Sequence, residues 1–192
     1  MRAPRGDDSQ ASWQDLDVHR VIEKEVSRLS RRATRCRTAR TPLPGATADF
    51  DRYRVEAASA LKRGWGLTEE SAQHLVDTYG TDHVRVLGRA AREPDLLEPI
   101  ADGSPVLRAE VAYAASEEMA VTVEDFMRRR SELMLFGPDG TLAAAEAAAG
   151  VLESTLTWDR PEKRRQVSAY RTAVARMTAF RAGRGAAAGS DR

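Results

Sequence analysis

Apolar side chains recur at helical spacing along most of the chain, and the longest consistent run lies between residues 106 and 136. Ser104 and Pro105 precede this run, and both suit the N-cap and first turn of a helix. The i, i+4 and i+7 spacing puts the apolar positions on one side of a helix. The pattern therefore predicts a helix from Val106 to the region of Ala120. Its apolar positions are Val106, Leu107, Val111, Ala114, Ala115 and Met119.

A second helix is predicted directly after the first. Thr122 suits its N-cap, and Glu124 and Asp125 follow in the first turn, where carboxylates complement the helix dipole. Residues 138–140, Pro-Asp-Gly, are typical of a turn and end the segment. The two helices are expected to meet near Ala120 and Val121. The apolar residues of the second helix are Phe126, Met127, Leu133 and Leu135.

The rest of the chain also favours helices, over residues 12–29, 50–62, 68–79, 82–91, 142–156 and 161–180. No stretch alternates as a strand would, so the predicted fold is all-α: a compact orthogonal multi-helix bundle with an N-terminal helical arm. Gly150, inside an alanine-rich helix, suggests close helix packing. We expect a variable arm or helix over residues 1–33, a helical domain over 34–181 and a disordered tail over 182–192.

Three consecutive arginines, 128–130, share the second helix with several acidic residues. One interpretation is a solvated or paired helix face. Another is that Arg129 or Arg130 turns inward and pairs with Glu110 or Glu118, because a guanidinium can bind a carboxylate with two hydrogen bonds. A nucleic-acid patch is the weakest interpretation, since carboxylates crowd the same segment.

Composition narrows the function classes. Charged residues make up 31% of the chain yet nearly cancel to +1, whereas nucleic-acid and membrane-surface proteins are usually strongly basic. The single cysteine, Cys36, excludes an internal disulfide and fits a reducing compartment. Its neighbours Arg35 and Arg37 favour a reactive thiol, although an incidental one is the simpler interpretation. No apolar run is long enough to span a bilayer, so we expect a cytoplasmic chain.

Catalytic signatures are missing from the sequence. It has no G-x-G-x-x-G motif, and His19, His74 and His83 lie on three separate predicted helices without metal-ligand spacing. Each histidine is expected at the surface or partly buried. Adjacent acid pairs such as 117–118 diverge by about 100° on a helix and suit no acid–base pair. We therefore assign no catalytic, cofactor-binding or metal-binding residue.

The central run nevertheless carries a specific pattern, R-A-E-V-x-Y-A-x-x-x-E-M-A-x-T-x-E-D-F-x-x-R-R, from residue 108 to residue 130. This pattern resembles the C-terminal helical domain of FAD-dependent glycerol-3-phosphate dehydrogenases and the related alpha-glycerophosphate oxidases. Segments around Cys36 to Ala46 and around Trp158 are similar to the same domain. The motif residues that we expect to have a structural role are Glu110, Tyr113, Glu118, Asp125, Arg129 and Arg130.

The resemblance implies that the flavin site lies in an oxidoreductase domain N-terminal to the similar region. FAD is thus implied for the parent enzyme, with no cofactor in this truncated chain. The implied role is an accessory domain that packs against a flavin-binding catalytic domain or partner chain, or mediates homo-oligomer assembly. Through the parent enzyme, the chain would associate peripherally with a membrane. The alternative is a free-standing helical interaction module that has lost the enzyme. This alternative is motivated by four residues, Ser116, Glu117, Ser131 and Glu132, at positions where the family includes basic residues.

Overall fold

A computed structural model describes residues 24, 25, 28, 40–137 and 141–187. The chain divides into two units, Met1–Leu43 and Pro44–Arg192. In the first unit Lys24, Glu25 and Arg28 are helical, and the remainder of the predicted arm, with His19, lies outside the described residues, as does Cys36. The second unit contains the helical domain.

The described residues contain seven α-helices and no strand, so the fold is all-α. Two short 3-10 helices, Gly80–Asp82 and Pro94–Leu97, and a π-helix, Asp125–Arg130, stand between them. The α-helices are α1 (Phe50–Trp65), α2 (Glu69–Tyr79), α3 (His83–Gly88), α4 (Arg108–Glu117), α5 (Leu133–Phe136), α6 (Leu142–Thr155) and α7 (Arg160–Ala187).

Helix α4 lies at the centre of the domain and packs against α3 and α6, while α1 packs on α2 and α6 on α7. Half of the ten residues of α4 are buried, and they include small apolar side chains on several sides of the helix. A helix enclosed in this way belongs to the core rather than to the surface. The largest buried side chain of α7, Tyr170, is fully enclosed and shares a hydrogen bond of 2.6 Å with the Thr141 hydroxyl.

The predicted start of the central helix is wrong. Ile100 N–H donates to the Val106 carbonyl at 2.8 Å, and Arg108 N–H donates to the Glu98 carbonyl at 3.0 Å. These two bonds hold residues 106 and 107 extended, in a bridge between Pro99 and Leu107. The helix therefore begins at Arg108 with Leu107 as its N-cap. Ser104, the expected cap, accepts only the Val106 N–H.

The second helix of the central run also differs from the prediction. It changes to π-helical geometry at Asp125, and the Ser131 N–H reaches the Phe126 carbonyl five residues earlier at 2.9 Å. Glu132 then takes a φ of 55°, which interrupts the helix before α5. Phe126 and Met127 are buried as predicted, but Leu135 is half exposed.

Two smaller predictions also fail. Gly150 mediates no close helix contact, because a Cβ there would lie 3.7 Å from its nearest neighbour, the flexible Lys163 amine. Helix α7 continues past Phe180 to Ala187, into the segment expected to be a disordered tail. Residues 188–192 lie outside the described residues.

Two glycines hold the start of the domain against the end of α2. Thr81 N–H donates to the Gly45 carbonyl at 2.9 Å, and both Gly45 (φ 75°) and Gly80 (φ 55°) have positive φ. A Cβ on Gly80 would overlap the Gly45 carbonyl oxygen, and a Cβ on Gly45 would overlap the Tyr79 carbonyl oxygen. The backbones can approach this closely only because neither residue has a side chain.

We expect the Gly80→Ala variant to lose about 2–4 kcal/mol of unfolding free energy, because it adds a backbone clash to an unfavourable φ. The matched control is Gly64→Ala inside α1, where a Cβ meets no atom within 4 Å. That control should gain about 0.5–1 kcal/mol from helix propensity. Urea unfolding of both variants provides the measurement. Equal stabilities would show that the Gly45–Gly80 contact is dispensable.

Candidate functional site

The N-terminal end of α4 contains a buried carboxylate. Glu110 occupies the third position of the helix and is only 2% exposed. Its Oε1 accepts the Leu107 N–H at 2.8 Å, which satisfies one of the free backbone donors of the first turn. Leu107 has no polar side chain to act as a cap, so Glu110 takes over that role from within the helix.

The second oxygen of Glu110 faces helix α2. His74 Nε2 lies 3.0 Å from Glu110 Oε2. Burial alone lowers the pKa of His74, but the hydrogen bond and charge of Glu110, with the charge of Asp77, raise that pKa above its ordinary value. Burial and the neighbouring carboxylates, Glu110 first, likewise raise the pKa of Tyr79 well above its usual range. The Tyr79 hydroxyl is therefore neutral.

An aromatic and ionic chain continues from Tyr79 along α4. The rings of Tyr79 and Tyr113 meet edge to face, with centroids 5.7 Å apart and planes at 86°. The Arg85 guanidinium lies 5.7 Å from the centroid of the Tyr113 ring and donates to Glu117 at 3.0 Å. These contacts join α2, α3 and α4 through side chains that the domain itself supplies.

The C-terminal end of α4 is held by the motif arginine Arg130. Its guanidinium donates to the Glu118 backbone carbonyl, and its Nε lies 3.6 Å from the Glu118 carboxylate. Ala120 N–H bonds the Ala114 carbonyl at 3.0 Å, which closes the helix around Met119 at a φ of 59°. The bond spans six positions, one more than the closing bond of a Schellman motif.

The next helix is capped reciprocally. Asp125 N–H donates to the Thr122 hydroxyl at 3.0 Å, while the Asp125 carboxylate accepts the Thr122 N–H at 3.0 Å and the Val121 N–H at 3.3 Å. Arg129 forms an ion pair with Asp125 on the same helix. Thr122 thus caps the helix as the sequence predicts.

Four of the six motif residues contact α4: Glu110 and Tyr113 at its beginning and middle, Glu118 and Arg130 at its end. The other two, Asp125 and Arg129, pair with each other on the following helix. The expected inward arginine pair exists in part: Arg130 pairs with Glu118 but is 40% exposed on its side chain, and Arg129 pairs with Asp125 instead.

Sequence reasoning missed the partners of Glu110. His74 is half-buried as expected, but nothing in a single sequence links it to a carboxylate 36 residues away. His83 was expected at the surface or partly buried, and it is buried at 5% exposure with its Nδ1 2.8 Å from the Gly80 carbonyl. One signal was available for Glu110 itself, since glutamate at the third position of a helix is typical of capping.

This arrangement consists of helix caps, ion pairs and ring contacts within the domain. Within the described residues no group of three His, Cys, Asp or Glu side chains is placed to hold a metal ion. The positive-φ glycines of that part of the chain are at positions 45, 66, 80 and 103, and none follows a strand. A flavin dinucleotide site needs a strand, a glycine-rich turn and a helix. The described residues thus do not fit FAD.

Comparison with known proteins identifies the domain. Residues 36–163 match the family described as the C-terminal domain of alpha-glycerophosphate oxidase. The chain belongs to this family. The match begins before α1 and ends in the first turn of α7, so it includes both ends of α4.

Curated relatives agree with this family. The chain is 32% identical over 155 residues to a glycerol-3-phosphate dehydrogenase of Mycobacterium leprae, covering 80% of this chain and 26% of the relative. It is 30% identical over 151 residues to a glycerol-3-phosphate dehydrogenase of Synechocystis, covering 78% and 27%. The chain therefore spans about a quarter of the length of these relatives. It contains the C-terminal domain without their catalytic part.

We expect the Glu110→Ala variant to lose about 3–5 kcal/mol of unfolding free energy, because it removes a buried charge and leaves its donors unpaired. The control is Glu117→Ala, whose half-exposed pair with Arg85 contributes less than about 1 kcal/mol. Urea unfolding at constant pH measures both. A loss for Glu110→Ala no larger than that of the control would contradict the capping role.

The His74–Glu110 pair also predicts a pH dependence of stability. Because the pKa of His74 is raised in the folded state, its stabilising contribution is complete below about pH 6.5. That contribution is lost as the pH rises through the folded-state pKa. The difference in unfolding free energy between the wild type and His74→Gln should therefore shrink between pH 6 and pH 9. A constant difference across that range would contradict a charged His74 in the folded state.

Proposed function

We propose that this chain is the C-terminal accessory domain of an FAD-dependent glycerol-3-phosphate dehydrogenase, with a packing or assembly role and no catalysis of its own. The observation that carries the proposal is the match of residues 36–163 to such a domain, in a chain that spans about a quarter of the length of its relatives. The catalytic part of those relatives is the partner we propose, either as a covalently linked domain or as a separate chain.

Local contacts support a scaffold role. The charged motif side chains of α4 and its neighbours are engaged inside the domain: Glu110 with His74, Glu118 with Arg130, Asp125 with Arg129. A substrate or cofactor site would instead present polar groups that converge on a cavity. The parent enzyme would oxidise glycerol 3-phosphate to dihydroxyacetone phosphate with its flavin and pass electrons to quinone or oxygen.

The cellular location follows from the same proposal. Within the described residues no helix combines the length and apolar character needed to cross a bilayer. We place the chain in the cytoplasm, where the catalytic part would attach it to a membrane surface peripherally. Self-association is the second assembly mode that we propose, and light scattering of the purified chain measures it directly.

A mixing experiment tests the function. The probe is the FAD-loaded catalytic part of the Mycobacterium leprae relative, expressed without its own C-terminal domain and combined with this chain. We expect co-elution and faster glycerol-3-phosphate-dependent dye reduction, because the accessory domain completes the enzyme's packing. An unrelated helical protein of similar size is the control. A folded chain that neither co-elutes nor raises the rate would favour a free-standing interaction module.

A further inference from the structure

The loop between α4 and the following helix presents an apolar side chain to solvent. Met119 is 85% exposed, the highest value among the large apolar side chains of the described residues, and Val121 beside it is 57% exposed. Ala120 between them is fully buried. The loop thus alternates, with its outer residues apolar and its inner residue anchored in the core.

Met119 also adopts an unfavourable backbone conformation, at a φ of 59°. Helices commonly end on a residue with positive φ, and glycine is favoured there because it has no Cβ. This chain uses glycine in that way after α1, where Gly66 has a φ of 68°. Thr157, which has a φ of 55°, bonds the Leu156 carbonyl through its hydroxyl at 2.7 Å. Met119 has no such polar contact to explain its presence.

Motif residues fix this loop from both sides. Arg130 holds the Glu118 carbonyl before Met119, and the Asp125 carboxylate receives the Val121 and Thr122 N–H groups after it. An exposed methionine on a mobile loop would lose much of its binding energy to ordering, whereas a loop held in place avoids that cost. The backbone strain and the bracing therefore serve one outcome, a preorganised apolar projection.

We propose that Met119 and Val121 form the contact through which this domain docks on the catalytic part of its parent enzyme, inserting into an apolar concavity there. The inference rests on the proposed function and specifies its surface. We assign the catalytic part as the partner because about three quarters of the length of each relative lies outside the matched region. Methionine suits such a contact because its thioether side chain adapts to an irregular pocket.

The decisive variant is Met119→Gly, which removes the projecting side chain while relieving the positive φ. The expected melting temperature is equal to or above that of the wild type, because glycine adopts this φ without a steric penalty. Binding to the FAD-loaded catalytic part should nevertheless weaken about thirty-fold, as for a hot-spot side chain. A gain in stability together with a loss of binding is a result that a merely structural Met119 would not give.

Two controls accompany this variant. Thr157→Gly makes the same backbone change elsewhere, and Val55→Ala truncates another exposed apolar side chain, 67% exposed on α1. Both should bind like the wild type. If the wild type binds and Met119→Gly binds equally well, the docking loop is refuted while the accessory-domain function stands. If the wild type itself does not bind, both proposals fail.

Discussion

The buried carboxylate of Glu110 is the constraint on which the arrangement of the helices depends. A carboxylate at 2% exposure has left water, and the loss of hydration is repaid only when donors reach both oxygens. One donor is the Leu107 backbone, which fixes where α4 begins. The other donor, His74, lies on α2 and fixes how that helix is placed against α4. The Glu110 side chain therefore both caps α4 and joins α4 to α2.

This double role matters because the apolar contacts of α4 are not strongly directional. Ala109, Val111, Ala112 and Ala114 are buried on several sides of the helix, and small side chains of similar shape specify its rotation poorly. Hydrogen bonds with defined angles specify it well. We infer that Glu110 sets the rotation of α4, and that the edge-to-face rings of Tyr79 and Tyr113 extend the same alignment by one turn.

The sequence predicted those features that depend on neighbouring residues. Thr68 caps α2 and accepts the Ser71 N–H at 3.1 Å, and Thr122 and Asp125 cap each other, because both are local patterns. The start of α4 was misplaced because a bridge to Pro99 holds Leu107 extended, and no local pattern reports that contact. The all-α fold and the family motif were recognised correctly. The partners of Glu110 were not, since they depend on the packing of α2 against α4.

Glu117 and Glu132, two of the residues expected to differ from the family, have different surroundings. Arg85 donates to Glu117 at 3.0 Å and lies over the Tyr113 ring. The negative charge of Glu117 is thus compensated inside the domain and leaves no free anion for a partner. Glu132 is exposed, and within the described residues no ion pair engages it. Glu132 follows the π-helix whose Asp125 and Arg130 brace the Met119 loop, so its carboxylate lies next in the chain to that braced segment.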